Sequence, residues 1–144
     1  MKTFTIGSRE ITCQYSLLTE VIYKREFGDA LRTDISKAEK VFFDYGIDIK
    51  KKKEDVMKQI ASLDQKNYIA VMNALSDQFE IFIQILYASA IAGKSIDESY
   101  EDFINQIPVS DLTPEFMAEV ADFVKKGISP KKKEGPQRAT FRKK

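Results

Sequence analysis

The stretch Ala88-Ser89-Ala90-Ile91-Ala92-Gly93-Lys94-Ser95 has the spacing of a phosphate-binding loop: a small residue, four others, then Gly-Lys-Ser. In such loops backbone N–H groups cradle the phosphates and the lysine reaches them. That chemistry needs a strand before the loop and a helix opening after it. Here a long helical pattern precedes it, the four variable positions lack glycine, and no later strand offers a metal-binding Asp. A helix stop at Gly93 and an N-cap at Ser95 account for the same residues. Asp97, Glu98, Glu101 and Asp102 form i, i+4 pairs, a pattern that can hold a hard cation or exchange protons. They fall in the polar gaps between Ile96, Tyr100, Phe103 and Ile104, as a solvated acidic face does. Cys13 lies on the apolar parity of a strand and reads as a buried, inert thiol. The sequence holds no His, which removes imidazole triads, His-zinc sites and imidazole proton relays. No catalytic, cofactor-binding or metal-ligating set emerges, and the chain is read as a non-enzyme.

The elements that would position these residues follow from periodicity. Residues 3–15 alternate: Phe4, Ile6, Ile11, Cys13 and Tyr15 fall on the apolar parity of two runs separated by Gly7-Ser8, which predicts a β-hairpin. The period then becomes helical. Leu17, Leu18, Val21 and Ile22 are the expected inner stripe of a first helix, stopped at Gly28. Leu31, Ile35, Ala38, Phe42 and Tyr45 mark a second helix, stopped at Gly46; Ser36 to Glu39 offers a weak capping box inside it. The lysine run Lys50–Lys53 reads as a solvated edge leading into a short helix with Val56, Met57, Ile60 and Leu63. Over residues 67–92, Tyr68, Met72, Leu75, Phe79, Phe82 and Leu86 keep a 4-3-4-3-4 seam. Ile81 to Tyr87 is apolar on nearly every face, as in a buried or oligomeric helix. Ser95 to Glu98 reads as a capping box for a helix carrying Tyr100, Phe103, Ile104 and Ile107, broken by Pro108. Thr113-Pro114 opens a last helix with Phe116, Val120, Phe123 and Val124, stopped at Gly127.

The 144 residues fit one domain, 43% hydrophobic and 31% charged, which is an ordinary soluble composition. One Cys excludes an internal disulfide, no signal-peptide pattern opens the chain, and Gln84 and Ser89 interrupt its longest apolar stretch, against a membrane span. The predicted fold is mostly α (α+β). It has an N-terminal hairpin packed on a compact bundle of about five to six helices within residues 1–127, followed by a disordered basic tail over 128–144. The overall charge of +1 conceals a division. Residues 125–144 carry nine basic residues against Glu134, a net +8, whereas residues 1–124 carry 14 basic and 21 acidic residues, a net −7. Such an arm can meet nucleic acid, an acidic protein surface, or its own acidic body.

Read together, these elements resemble the small tail assembly chaperones of long-tailed phages and prophages of Gram-positive bacteria. The residues carrying the resemblance are the Thr3-Phe-Thr-Ile-Gly…Glu10-Ile-Thr-Cys-Gln-Tyr15 hairpin and the Ser16-to-Gly28 helix. The apolar Phe79-to-Ala92 helix, the Ser95-to-Phe103 segment and the polar tail complete it. The match is one of element order over about residues 1–127, and the 46–67 region departs from it most. The resemblance implies a cytoplasmic protein of the bacterial host, absent from the finished virion. It would bind the tape measure protein, keep it soluble, and help present it to the tail tube protein. It also implies a longer frameshifted product, for which the lysine codons near the C-terminus would be suitable. On this reading Phe79, Phe82 and Tyr87 of the apolar helix contact the client. Lys125, Lys126, Lys131, Lys132, Lys133, Arg138, Arg142, Lys143 and Lys144 add salt-dependent attraction. The regular seam also permits self-association. The alternative is a small helical nucleic-acid-binding or regulatory protein that uses the basic arm.

Overall fold

The computed structural model describes residues 1–48 and 51–128, apart from the side chains of Leu75 and Asp77. Lys50 of the lysine run and the tail cations from Lys131 onward lie outside these residues, as does the side chain of Leu75 in the seam. Two antiparallel strands, β1 (Lys2–Ile6) and β2 (Arg9–Cys13), open the chain, joined by the two-residue Gly7-Ser8 loop. Six α-helices follow: α1 (Leu17–Phe27), α2 (Leu31–Phe43), α3 (Lys53–Ala61), α4 (Gln65–Ala92), α5 (Tyr100–Ile104) and α6 (Pro114–Ile128). A 3₁₀ turn at Val109–Asp111 lies between the last two. The predicted fold class is thus the observed one over the described residues. Among them, no single helix is long and apolar enough to cross a membrane.

The hairpin keeps the predicted parity. Phe4 faces Ile11 in register, and Phe4, Ile6, Ile11 and Cys13 are buried together on one side. A two-stranded sheet is marginal alone. This one closes over α4 and α6, where Phe4 and Tyr15 meet the Phe123 ring edge-on at 5.7 and 6.2 Å. The C-terminal half of α4 is the core of the molecule. Phe82, Ile85, Leu86, Tyr87, Ala88, Ser89 and Ala90 are all buried, and α1, α2, α5, α6 and β2 pack on that helix. The N-terminal half differs from its pattern: Tyr68 and Ile69 are exposed and Met72 is half-buried. The seam is therefore a core seam only where neighbours cover it. α2 buries Leu31, Ile35, Ala38 and Phe42 as its spacing predicts, but Tyr45 lies past the helix end and is exposed. The helix begins at Leu31, so the Ser36 capping box has no role.

Gly93 ends α4 as the sequence predicts, whereas Gly127 does not end α6, and both are close-approach points. At Gly93 the φ is an ordinary −81°, but a Cβ would stand 2.6 Å from the Thr12 carbonyl oxygen. The left-handed residue is its neighbour Lys94, at φ 58°. Lys94 N–H bonds the Ile91 carbonyl and Ser95 N–H the Ala90 carbonyl, completing a Schellman closure. α6 runs through Gly127 to Ile128, and a Cβ at Gly127 would meet the Tyr15 ring at 2.5 Å. The two positions at the α4 terminus predict opposite responses. Gly93→Ala should destabilise by about 2 kcal/mol, because the methyl group meets a backbone oxygen that cannot step aside. Lys94→Gly should stabilise by about 1 kcal/mol, because it relieves a left-handed residue. Thermal midpoints of the two variants against wild type check both signs.

Candidate partner-binding surface

The Gly-Lys-Ser sequence folds into a clasp on the hairpin. The N–H groups of Gly93, Lys94 and Ser95 donate to the carbonyls of Ser89, Ile91 and Ala90 at 2.9 to 3.0 Å. Ser95 Oγ accepts from Thr12 N–H at 2.9 Å. The donors that would cradle a phosphate are thus committed to the helix end, and the hydroxyl is committed to β2. Ser95 does not cap the next helix as the sequence predicts. Ser99 caps it, accepting from Asp102 N–H at 3.1 Å. Glu98 is likewise not a solvated helix acid. It lies before α5 and takes both terminal nitrogens of Arg9, at 2.6 and 2.7 Å. Gln106 joins the pair, accepting from Arg9 at 2.8 Å and donating to Glu98 at 3.0 Å. Arg9, with Gln106 adding, holds the Glu98 carboxyl below the usual carboxylate range. Among the described residues, no group of three or more His, Cys, Asp or Glu side chains could hold a metal ion. Cys13 is fully buried, and burial pushes its thiol up to about 12, so the nucleophilic thiolate is absent at neutral pH.

The predicted client contacts on α4 point inward. Phe82 and Tyr87 are 1% and 5% exposed, and Phe79 is half-buried against the core. Phe82 meets Phe42 at 6.3 Å beside an apolar void of about 10 Å³ between α2, α3, α4 and α6, room for roughly one water and no ligand. Tyr87 sits among Phe27, Tyr100 and Phe103 at 5.4 to 6.2 Å, and its hydroxyl donates to the Glu98 carbonyl at 2.7 Å. In this conformation neither Phe82 nor Tyr87 is offered to a partner. Lys125 and Lys126 end α6, with Lys126 bonded to Asp122 at 3.0 Å. Lys131, Lys132, Lys133, Arg138, Arg142, Lys143 and Lys144 lie outside the described residues.

One exposed apolar surface consists of residues whose spacing predicts an inner stripe. α1 buries Thr19, Ile22 and Tyr23, and turns Leu17, Leu18 and Val21 outward, 76%, 47% and 49% exposed. The cause is polar. Thr19 Oγ1 donates to the Gln14 carbonyl at 2.6 Å and accepts from Ser16 N–H at 3.1 Å, closing the helix start. The Tyr23 hydroxyl donates to Asp34 at 2.7 Å and lies 3.0 Å from Gln84 Oε1. Burial, with Asp34 adding, lifts the Tyr23 phenol far above the ordinary tyrosine range, so it remains a neutral donor. These bonds fix the rotation of α1, and the aliphatic residues take the remaining face. A groove of about 420 Å³ continues from that face, lined by Glu20, Val21, Lys24, Arg25, Ala30 and Leu31. Arg32 bonds Glu20 at 3.1 Å along its side. The result is three adjacent aliphatic side chains followed by two cations beside a shallow trough. Contiguous exposed apolar surface of this kind marks protein contacts. The Ser16-x-x-Thr19 spacing was the sequence signal for the helix rotation, since a capping Thr must face the chain entering the helix.

No protein family matches the chain, and no characterised protein or solved structure shows significant similarity to it.

The Arg9–Glu98 pair gives a pH dependence. Glu98's folded pKa is depressed, so its contribution to stability is complete above its ordinary value near 4.5 and is lost as pH falls through the folded value. Thermal midpoints followed from pH of about 6 to about 3 should fall less steeply in Arg9→Ala than in wild type. Parallel curves would show that the pair contributes no linkage.

Proposed function

We propose that this protein is a small assembly chaperone of a long-tailed phage or prophage, a binding protein whose client is the tape measure protein. The observation that supports this reading is the outward aliphatic face of α1, Leu17, Leu18 and Val21, leading into the Lys24–Arg25 groove. An amphipathic helix laid in that groove would bury its apolar side on these residues and set acidic flanking residues against the two cations. Long coiled or helical clients carry many such segments. Holding them in the bound state draws them away from aggregation by mass action. The order of elements noted in the sequence supports the same reading, with the contact surface moved from α4 to α1. Presentation to the tail tube protein, a cytoplasmic site of action and absence from the virion belong to this proposal.

Co-expression with the long helical protein encoded nearby tests it. The client should become soluble and co-elute with the wild-type chain on size exclusion. Leu17→Asp combined with Val21→Asp should leave the thermal midpoint close to wild type, because both side chains face solvent. The same variant should weaken capture at least about tenfold, the equivalent of about 1.4 kcal/mol. A client that stays insoluble with the wild type, or one held equally well by the variant, would overturn the reading.

A further inference from the structure

Three basic stretches that are remote in the sequence meet at one place. Lys2 on β1, Lys52 and Lys53 at the start of α3, and Lys125 and Lys126 at the end of α6 line a cleft of about 510 Å³ together with Glu54, Glu119 and Asp122. All eight lining residues are charged, five ammonium groups against three carboxylates. Lys2 lies 3.9 Å from Glu119 and Lys126 lies 3.0 Å from Asp122, yet the two lysine side chains remain 43% and 74% exposed. Lys52 is the N-cap and Lys53 the first residue of α3, at the helix end that disfavours cations, so helix energetics do not account for them. The solvated helix edge expected for this run is thus one wall of a shared cleft. From Ile128 the sequence continues for 16 residues with seven further cations and one acid.

We propose that this cleft binds the phosphate backbone of a nucleic acid without reading its bases. The lining chemistry distinguishes this ligand from a protein. A protein interface has an apolar core with charge at its rim, and among the described residues no apolar one lines the cleft. Lysine offers a compact, mobile point charge without the planar fork of arginine, which suits phosphates of variable position. Among the described residues no aromatic side chain lines the cleft, so they offer no base stacking there. Glu119 and Asp122 compete with phosphate for Lys2 and Lys126, which confines tight binding to low salt. The site shares no residue with the α1 groove and stands independently of the client reading.

Fluorescence anisotropy of the full chain with a labelled oligonucleotide of mixed sequence tests this between about 50 and 200 mM salt. The logarithm of the binding constant should fall linearly with the logarithm of salt concentration. Lys52→Ala combined with Lys53→Ala should reduce the steepness of that line by about 1.5 to 2, the effect of two lost phosphate contacts. Glu119→Gln combined with Asp122→Asn should tighten binding at low salt. Circular dichroism of each variant keeps a folding defect separate from a binding defect. Three results would each overturn the proposal: no binding at the lowest salt, a slope unchanged in the Lys52/Lys53 variant, or polyglutamate or anionic vesicles displacing the oligonucleotide more effectively than unlabelled oligonucleotide at equal charge.

Discussion

The close approach of β2 to the end of α4 is the constraint on which the rest of the structure depends. Gly93 lets the Thr12 carbonyl oxygen come within a distance that no side-chain carbon would permit. Ser95 Oγ then accepts from Thr12 N–H, and Gln14 N–H donates to the Ser89 carbonyl at 3.0 Å. These contacts close a loop of more than seventy residues, whose entropic cost grows only slowly with length. Arg9 on Glu98 and Gln106, and Gly7 N–H on Asp111, extend the same seam along the hairpin. A hairpin that would be marginal alone is thereby fixed on a helix end. The direction in which the chain leaves it, through Gln14 and Tyr15, is fixed with it.

That exit sets α1. Because Gln14 is held through its N–H on the Ser89 carbonyl, its own carbonyl gives Thr19 a defined acceptor, which fixes the rotation of the first turn of α1. One turn further on, Tyr23 finds Asp34 on α2 and Gln84 on α4. Tyr23 then packs on Phe27 at 5.1 Å, and Phe27 on Tyr100 at 4.8 Å, which draws α5 into the same cluster. A buried phenol with satisfied partners is as acceptable inside as an aliphatic side chain, and it adds direction that an aliphatic chain lacks. The exposed Leu17–Leu18–Val21 face is the consequence: these residues lie outside because the polar ones have partners inside.

What was legible in the sequence follows this physics closely. Alternation in the hairpin, the α2 stripe, the all-round apolarity of Ile81–Tyr87 and the Thr113 cap were readable, because burial and capping alone decide them. Thr113 Oγ1 accepts from Phe116 N–H as that cap requires. The rotation of α1 was not readable from hydrophobicity, since its inward residues are selected by hydrogen bonds to groups up to 61 positions away. Gly93 does end its helix, but Gly127 lies inside α6, because a glycine pattern cannot distinguish a helix stop from a near neighbour, here the Tyr15 ring. Ser95 and Glu98 had the spacing of a capping box, but tertiary partners on β2 had the stronger claim on both. The convergence of Lys2, Lys52–Lys53 and Lys125–Lys126 depends on α3 packing against α6, which no local pattern encodes.

The most apolar part of the molecule, the C-terminal half of α4, is therefore unavailable for recognition. Covering that half uses α1, α2, α5, α6 and β2, so there a partner reads what the surrounding elements turn outward. They turn out two surfaces of opposite character. The α1–α2 side offers aliphatic side chains and a trough edged by Lys24 and Arg25, whereas the β1–α3–α6 side offers charge alone. The first can desolvate a partner and hold it by buried area, which salt barely affects. The second can only exchange counterions, and its affinity must fall steeply as salt rises. With no lining residue in common, the two surfaces can be occupied independently. A charge reversal at Lys52 and Lys53 should therefore leave capture through α1 intact, just as an Asp at Leu17 should leave the salt-dependent binding unchanged.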